Sequence, residues 1–283
     1  MNAMSAEGTR GSATRIASAG HAVFAVTLIG LGVLGLVKGD FDATWPQVPK
    51  TFPGREVLAY LCAVVYLGCG IGLLWRRTAA AASRLLLGYL LLWLLLASVP
   101  GVFLLHPTLL AAWEFGKVAM MVAAAWVLYV WFAGERDGRR FRFVTGENGL
   151  RIARVLCGLA VIPWGLAHFV YLKETVVLVP GWLGSPAFWA YFTGAAFVAA
   201  GIAMLSGVWA RLAAALLVVE LGALTLLVWM PRVAAGNLSP FQWGEVVSSV
   251  ALTAAAWVVA DSYRGRPWLA SGRLKPLGLA LSG

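Results

Sequence analysis

Long apolar stretches dominate this chain, and the few ionisable side chains inside them are where chemistry must be sought. Glu114 and Lys117 stand three residues apart in the stretch 109–132. On a helix that spacing puts both on one face, within reach of an ion pair. Glu245 lies in the stretch 243–260, and Glu220 is the ninth residue of 212–230. At 1.5 Å per residue, Glu220 is about 12 Å in, near the middle of a spanning helix. Each ionisable group in hydrocarbon costs about 2.5–3.5 kcal/mol on insertion scales, so each needs a reason. Carboxyl groups so placed can take up or release protons for a bound molecule. Glu114 and Glu245 also have a plainer explanation as acids near helix starts, after Thr108 and Ser239, where the helix dipole favours them by about 0.3–1 kcal/mol. Glu220 has no such explanation. It is either neutral and bonded to a neighbouring helix, or charged in a wet cavity.

The remaining reactive side chains offer less. Of the three histidines, His106 and His168 fall toward the same side. They are the one conceivable pair of haem ligands, but no C-x-x-C-H motif accompanies them, and His168 reads first as a hydrogen-bonding group at an interface. Cys62 and Cys69 share a helix face about 10.5 Å apart along the axis, too far for a disulfide. Cys157 has no partner in the sequence, and all three read as small packing residues. No spacing of His, Cys, Asp or Glu suggests a metal site, so no metal is expected, and no cofactor is required. A phosphate-binding loop and a nucleophile constellation are both missing.

The elements that must position these groups are membrane helices. Of 283 residues, 61% are hydrophobic and 12% charged, with mean hydropathy +0.82, against about 25% charged in an ordinary soluble domain. That composition excludes a soluble enzyme, a disordered chain and a nucleic-acid binder. The net charge of +10 is ascribed to loops at a membrane face. Eight stretches are long enough to span, each near 20 residues: 16–37, 57–75, 85–105, 109–132, 152–172, 187–205, 212–230 and 243–260. They are continuous rather than alternating, which predicts helices and not barrel strands. The first is too long for a secretory signal, and no cleavage site follows it. Sixteen Lys and Arg fall in the termini and alternate loops, among them Arg76, Arg77, Arg84, Arg151, Arg154 and Arg211, against five on the other side. The positive-inside rule then puts both termini in the cytoplasm of a bacterial-type inner membrane. Trp45, Trp113, Trp182 and Trp243 would form an aromatic belt on the far side.

Sliding the chain against itself gives matches at a constant offset of 131. Ala123–Trp126 falls on Ala254–Trp257, Tyr60 on Tyr191, Gly70 on Gly201, Pro100 on Pro231 and Glu114 on Glu245. Lys117 meets Ser248 and Glu220 meets Tyr89, so the correspondence is not complete. The expected organisation is a first four-helix repeat at 16–133, a basic cytoplasmic linker at 134–151 and a second repeat at 152–261. Four helices per unit is an even number, so the repeats run parallel, about an axis along the membrane normal. Arg136, Arg139, Arg140 and Arg142 in the linker suit anionic lipid or an acidic partner. The loop 39–55, stiffened by Pro46, Pro49 and Pro53, reads as an interfacial segment or a lid.

The end of the second helix, Gly70, Gly72, Leu73, Leu74, Trp75 and Arg76, resembles the DoxX family of bacterial membrane proteins. Gly201, Ile202 and Leu205 form a weaker second copy, and the run Gly165–Val170 that contains His168 is similar to longer members. The resemblance implies a quinone-proximal membrane subunit or partner of a redox system, binding a quinone or similar lipid-soluble molecule. Glu114, Lys117, His168, Glu220 and Glu245 are the candidate contacts, in a pocket between the repeats. Expected partners are the bilayer and a soluble or membrane redox protein, with no nucleic acid. Two alternatives stay open: a small-molecule or lipid transporter, with a cavity reaching both faces and helices broken at midplane, and a non-catalytic anchor for a protein partner.

Overall fold

The computed structural model describes residues 16–41, 48, 51–105, 108–133, 141–236 and 238–271. His106, Trp45, Pro46 and Pro49 lie outside the described residues, as do Arg136, Arg139 and Arg140. The described residues hold eight helices long and apolar enough to cross a membrane. These are α1 (Ala19–Lys38), α2 (Arg55–Leu74), α3 (Ala79–Trp93), α4 (Leu109–Phe132), α5 (Gly146–Val170), α6 (Pro186–Ser206), α7 (Ala210–Ala223) and α8 (Pro240–Asp261). The chain is an all-α multi-pass membrane protein. In lipid every backbone amide must be satisfied within its own segment, which is why uninterrupted apolar stretches become helices.

The helices overrun the apolar stretches at polar ends. α3 starts at Ala79 and α5 at Gly146, each six residues before the stretch expected from hydropathy. Arg84 and Arg151 ended the apolar pattern there, but a helix needs backbone hydrogen bonds, not apolar side chains. The start of α5 thus falls inside the stretch read as linker. Side chains mark other boundaries: Thr108 Oγ1 accepts from Ala111 N–H, and Ser239 forms a reciprocal capping box with Gln242.

α1, α2, α3 and α4 pack in succession, as do α5, α6, α7 and α8. Across the two sets α4 packs on α5, α8 packs on α1, and α4 and α8 pack on each other. α4 is the central helix: 78% of its spanning window is buried, against 28–50% in the others. The helix bounds recur at the offset of 131, with Arg55–Leu74 against Pro186–Ser206 and Leu109–Phe132 against Pro240–Asp261. Even a local irregularity recurs, for α3 passes into a π turn at Leu94–Ser98 and α7 into one at Leu224–Trp229. These turns widen the helices without breaking them, and α5 runs on through Pro163. Where α5 meets α6 the backbones nearly touch. A Cβ on Gly165 would lie 2.5 Å from the Gly194 carbonyl oxygen, and one on Gly201 2.8 Å from that of Gly158, the close approach that small residues allow between membrane helices.

The Arg-rich end is tied together by polar contacts. The buried Arg154 donates from Nε to Ser262 Oγ at 3.0 Å and from Nη2 to the Ser262 carbonyl. Its guanidinium lies 4.4 Å from the Tyr263 ring centroid. Burial pushes the Tyr263 phenol up, and the Arg154 charge works against that shift. His21 accepts at Nδ1 from Ala17 N–H, so its Nε2 carries the proton and donates to the Leu73 carbonyl at 3.2 Å. That histidine is a clip between α1 and α2.

Gly165→Ala is expected to destabilise the protein by about 1–3 kcal/mol, since the α5 and α6 backbones must separate. Gly30→Ala, where an added Cβ meets nothing within 4 Å, should leave stability unchanged or raise it. Thermal melts of both variants in detergent check the contrast.

Candidate functional site

Three of the five candidate residues come together where α4 faces α8. Lys117 Nζ lies 3.1 Å from Glu114 Oε1 on its own helix and 2.9 Å from Glu245 Oε1 on α8. The i,i+3 pair expected from spacing is present, and the bond across to the second half is an addition that spacing could not show. Glu114 and Glu245 each stand five residues into their helices, and neither α4 nor α8 has an acid in its first turn. The helix-start explanation for them is therefore corrected: their partner is a buried ammonium, not a helix terminus.

Exposure is graded across the cluster. The Lys117 side chain is 4% exposed, Glu245 18% and Glu114 32%. With all three ionised the cluster carries one net negative charge, held by an ammonium that two of its hydrogens already commit to carboxylates. One lysine thus serves both acids, which stand 131 residues apart. Ser248, its positional counterpart, is buried on the same helix as Glu245.

α5 braces this arrangement. Gly116, between Glu114 and Lys117, lets α5 approach so closely that a Cβ there would sit 2.5 Å from the Ala160 oxygen. Trp164 Nε1 donates to the Trp113 carbonyl at 3.1 Å, which fixes the first turns of α4 against α5.

His168 belongs to a different set. Its Nδ1 lies 2.8 Å from the Trp164 carbonyl, and a carbonyl can only accept, so Nδ1 carries the proton. The neutral ring then presents Nε2 as an acceptor, and donating to a ligand carbonyl would require the imidazolium. The ring packs on Phe197 at 5.5 Å, which also meets Trp164 at 6.1 Å. Trp164 links the His168 ring to Trp113, the residue before Glu114.

Glu220 stands apart on α7. Its Oε1 is buried and has no hydrogen-bond partner among the described residues. The inter-helix bond expected of it is instead made one turn further on, by a residue the sequence reading missed. Thr225 Oγ1, in the π turn, lies 2.6 Å from Ser249 Oγ and 3.2 Å from Thr253 Oγ1 on α8. Ser249 and Thr253, spaced i,i+4 on an otherwise apolar face, were the available signal. In the first half, Tyr89 takes the position of Glu220 and packs edge-on to Tyr66 at 5.8 Å.

The two described cavities lie away from these residues. One cavity of about 450 Å³ is lined by Arg142, Thr145, Glu147 and Asn148 at the Arg-rich end. A second, of about 690 Å³, lies between α2 and α3. None of the five candidates lines either. Among the described residues no three His, Cys, Asp or Glu side chains gather as a metal site. Cys62, Cys69 and Cys157 are buried and not in disulfides, with Cys157 Sγ 3.5 Å from Met120 Sδ.

No family model matches the chain, and no curated protein or solved structure matches it.

Lys117→Met should cost about 1–3 kcal/mol, because it leaves two partly exposed carboxylates without their counter-charge. Adding Glu114→Gln and Glu245→Gln to Lys117→Met should recover most of that loss. Denaturant titrations of the single and triple variants in detergent measure the coupling.

Proposed function

We propose that this protein is a DoxX-like membrane partner of a redox system, set in a bacterial-type inner membrane with both termini cytoplasmic. In this reading its two four-helix repeats run parallel, at 16–133 and 152–261, and its ligand is a quinone or a similar flat, lipid-soluble molecule. The recurrence of helix bounds at one offset supports the repeats, and the sixteen-to-five division of basic residues supports the orientation.

The observation that carries the ligand reading is Lys117, a nearly inaccessible ammonium shared by two acids of unequal exposure. Such a group is a strong donor to a carbonyl oxygen in low dielectric. Reduction of a quinone to a quinol takes two electrons and two protons. The electrons come from the redox partner. Glu114, the most exposed member, exchanges protons with water, and Glu245 and Lys117 hold the headgroup side. The ligand approaches along α4 from Glu114, since the described cavities lie elsewhere.

Native mass spectrometry of the protein in nanodiscs doped with ubiquinone tests this. A quinone adduct on the wild type, weakened about tenfold or more in Lys117→Met by loss of a charged hydrogen bond, is the expected result. No adduct on the wild type at excess quinone overturns it. Co-purification of a protein partner with no small molecule would overturn the ligand reading in favour of an anchor.

A further inference from the structure

The two halves differ at one corner of the Arg-rich end. In the second half, the turn between α6 and α7 takes contacts from a later segment of the chain, although Val208 and Trp209 stay exposed. Trp209 N–H donates to the Ala270 carbonyl at 2.9 Å, Val208 bridges to Ser271, and the Arg211 guanidinium lies 4.0 Å from the Trp268 ring centroid. The corresponding turn of the first half, 131 residues earlier, joins α2 to α3. There Trp75, Arg76, Arg77 and Thr78 are exposed, and the groove of about 690 Å³ opens beside them.

Residue size differs between the halves along that groove. Its lining residues Gly68, Thr78 and Ala81 correspond to the larger Ala199, Trp209 and Leu212, while Cys69, Trp75 and Arg77 correspond to the smaller Ala200, Ser206 and Val208. An added Cβ at Gly68 meets nothing within 4 Å, so the floor has room for more than the methyl that the other half carries. Thr78 Oγ1 donates to the Gly72 carbonyl at 2.8 Å, which fixes the turn and keeps the mouth open. From Gly68 to Trp75 the groove follows α2 for about 10 Å. Its wall is apolar and its rim is cationic, with Arg77 lining the mouth and Arg76 next to it. An apolar channel that ends at a guanidinium, at the membrane depth where helices end, has the charge pattern of one ligand class.

We infer that the α2–α3 groove is a binding site for a phospholipid with an anionic headgroup, one acyl chain lying against Gly68 and Ala81 and the phosphate on Arg77. The lipid occupies the corner that Trp268, Ala270 and Ser271 touch in the other half. Arg77 sets the preference for anionic headgroups, and the small residues set the affinity for the tail. This site is independent of the charged cluster on α4 and α8.

Delipidated protein titrated with phosphatidylglycerol or phosphatidylcholine of identical chains, read by native mass spectrometry, tests the assignment. The wild type should retain one phosphatidylglycerol in preference to phosphatidylcholine. Arg77→Gln should reduce that preference about fivefold, the worth of one basic side chain at an anionic surface, and weaken phosphatidylcholine less, since its choline already balances the phosphate charge. Gly68→Leu should fill the groove and lower binding of both lipids with no fall in melting temperature. Excess inorganic phosphate should not displace the lipid. Equal retention of the two lipids by the wild type would overturn the proposal, because it signals only the general lipid annulus. Unchanged binding in Gly68→Leu would overturn it too, by placing the lipid elsewhere, and displacement by phosphate would reassign the site to free anions.

Discussion

An ammonium group inside a membrane protein has no water to fall back on, and the placement of Lys117 follows from that constraint. Its charge is met by Glu114 on its own helix and by Glu245 on α8, each within about 3 Å, and the second bond ties α4 to α8 at this depth. Around that bond lie the other contacts of the central seam. α5 closes on α4 at Gly116, Trp164 bonds the Trp113 carbonyl, and α1 lies against α8, where Gly20 N–H reaches Asp261. A buried ion pair contributes less to stability than to uniqueness, because an apolar replacement can pack as well while a displaced partner is very costly. Apolar helices in lipid have many nearly equivalent ways to associate. A single charged cluster picks one of them.

The fold could be read from hydropathy because a lipid-spanning helix leaves so strong a mark. All eight helices were expected, and the bounds of α4 coincide with its apolar stretch. The errors lie at polar helix ends, as at Ala79 and Gly146, where the helix outlasts the hydrocarbon. The site was half legible. A spacing of three residues is enough to pair Glu114 with Lys117, because both lie on one helix. The bond to Glu245 spans 128 residues, and no local pattern encodes which helix faces which. The same limit hid the Thr225, Ser249 and Thr253 hydroxyl contacts, and it grouped His168 with the acids although its ring turns toward Phe197.

The halves share helix bounds, and three of the positions at which they differ change the local chemistry. Lys117 stands where the other half has Ser248, Glu220 where it has Tyr89, Ala81 where it has Leu212. In each case one side chain changes what the surrounding contacts must satisfy: a charge to neutralise, a carboxyl left without a bond, a groove left unfilled.

The bond from Lys117 to Glu245 also bears on how the chain is made. With synthesis at about 5–20 residues per second, the 128 residues between the partners separate their emergence by roughly 6 to 26 s. During that interval α4 must reside in the bilayer or its insertion machinery with a cation on its face and no second half to meet it. Glu114, three residues away on the same helix, neutralises Lys117 from the moment the turn forms. The intrahelical pair is thus a placeholder that lets α4 enter lipid before the last helix exists, and the arrival of α8 adds a second carboxylate to a charge already covered.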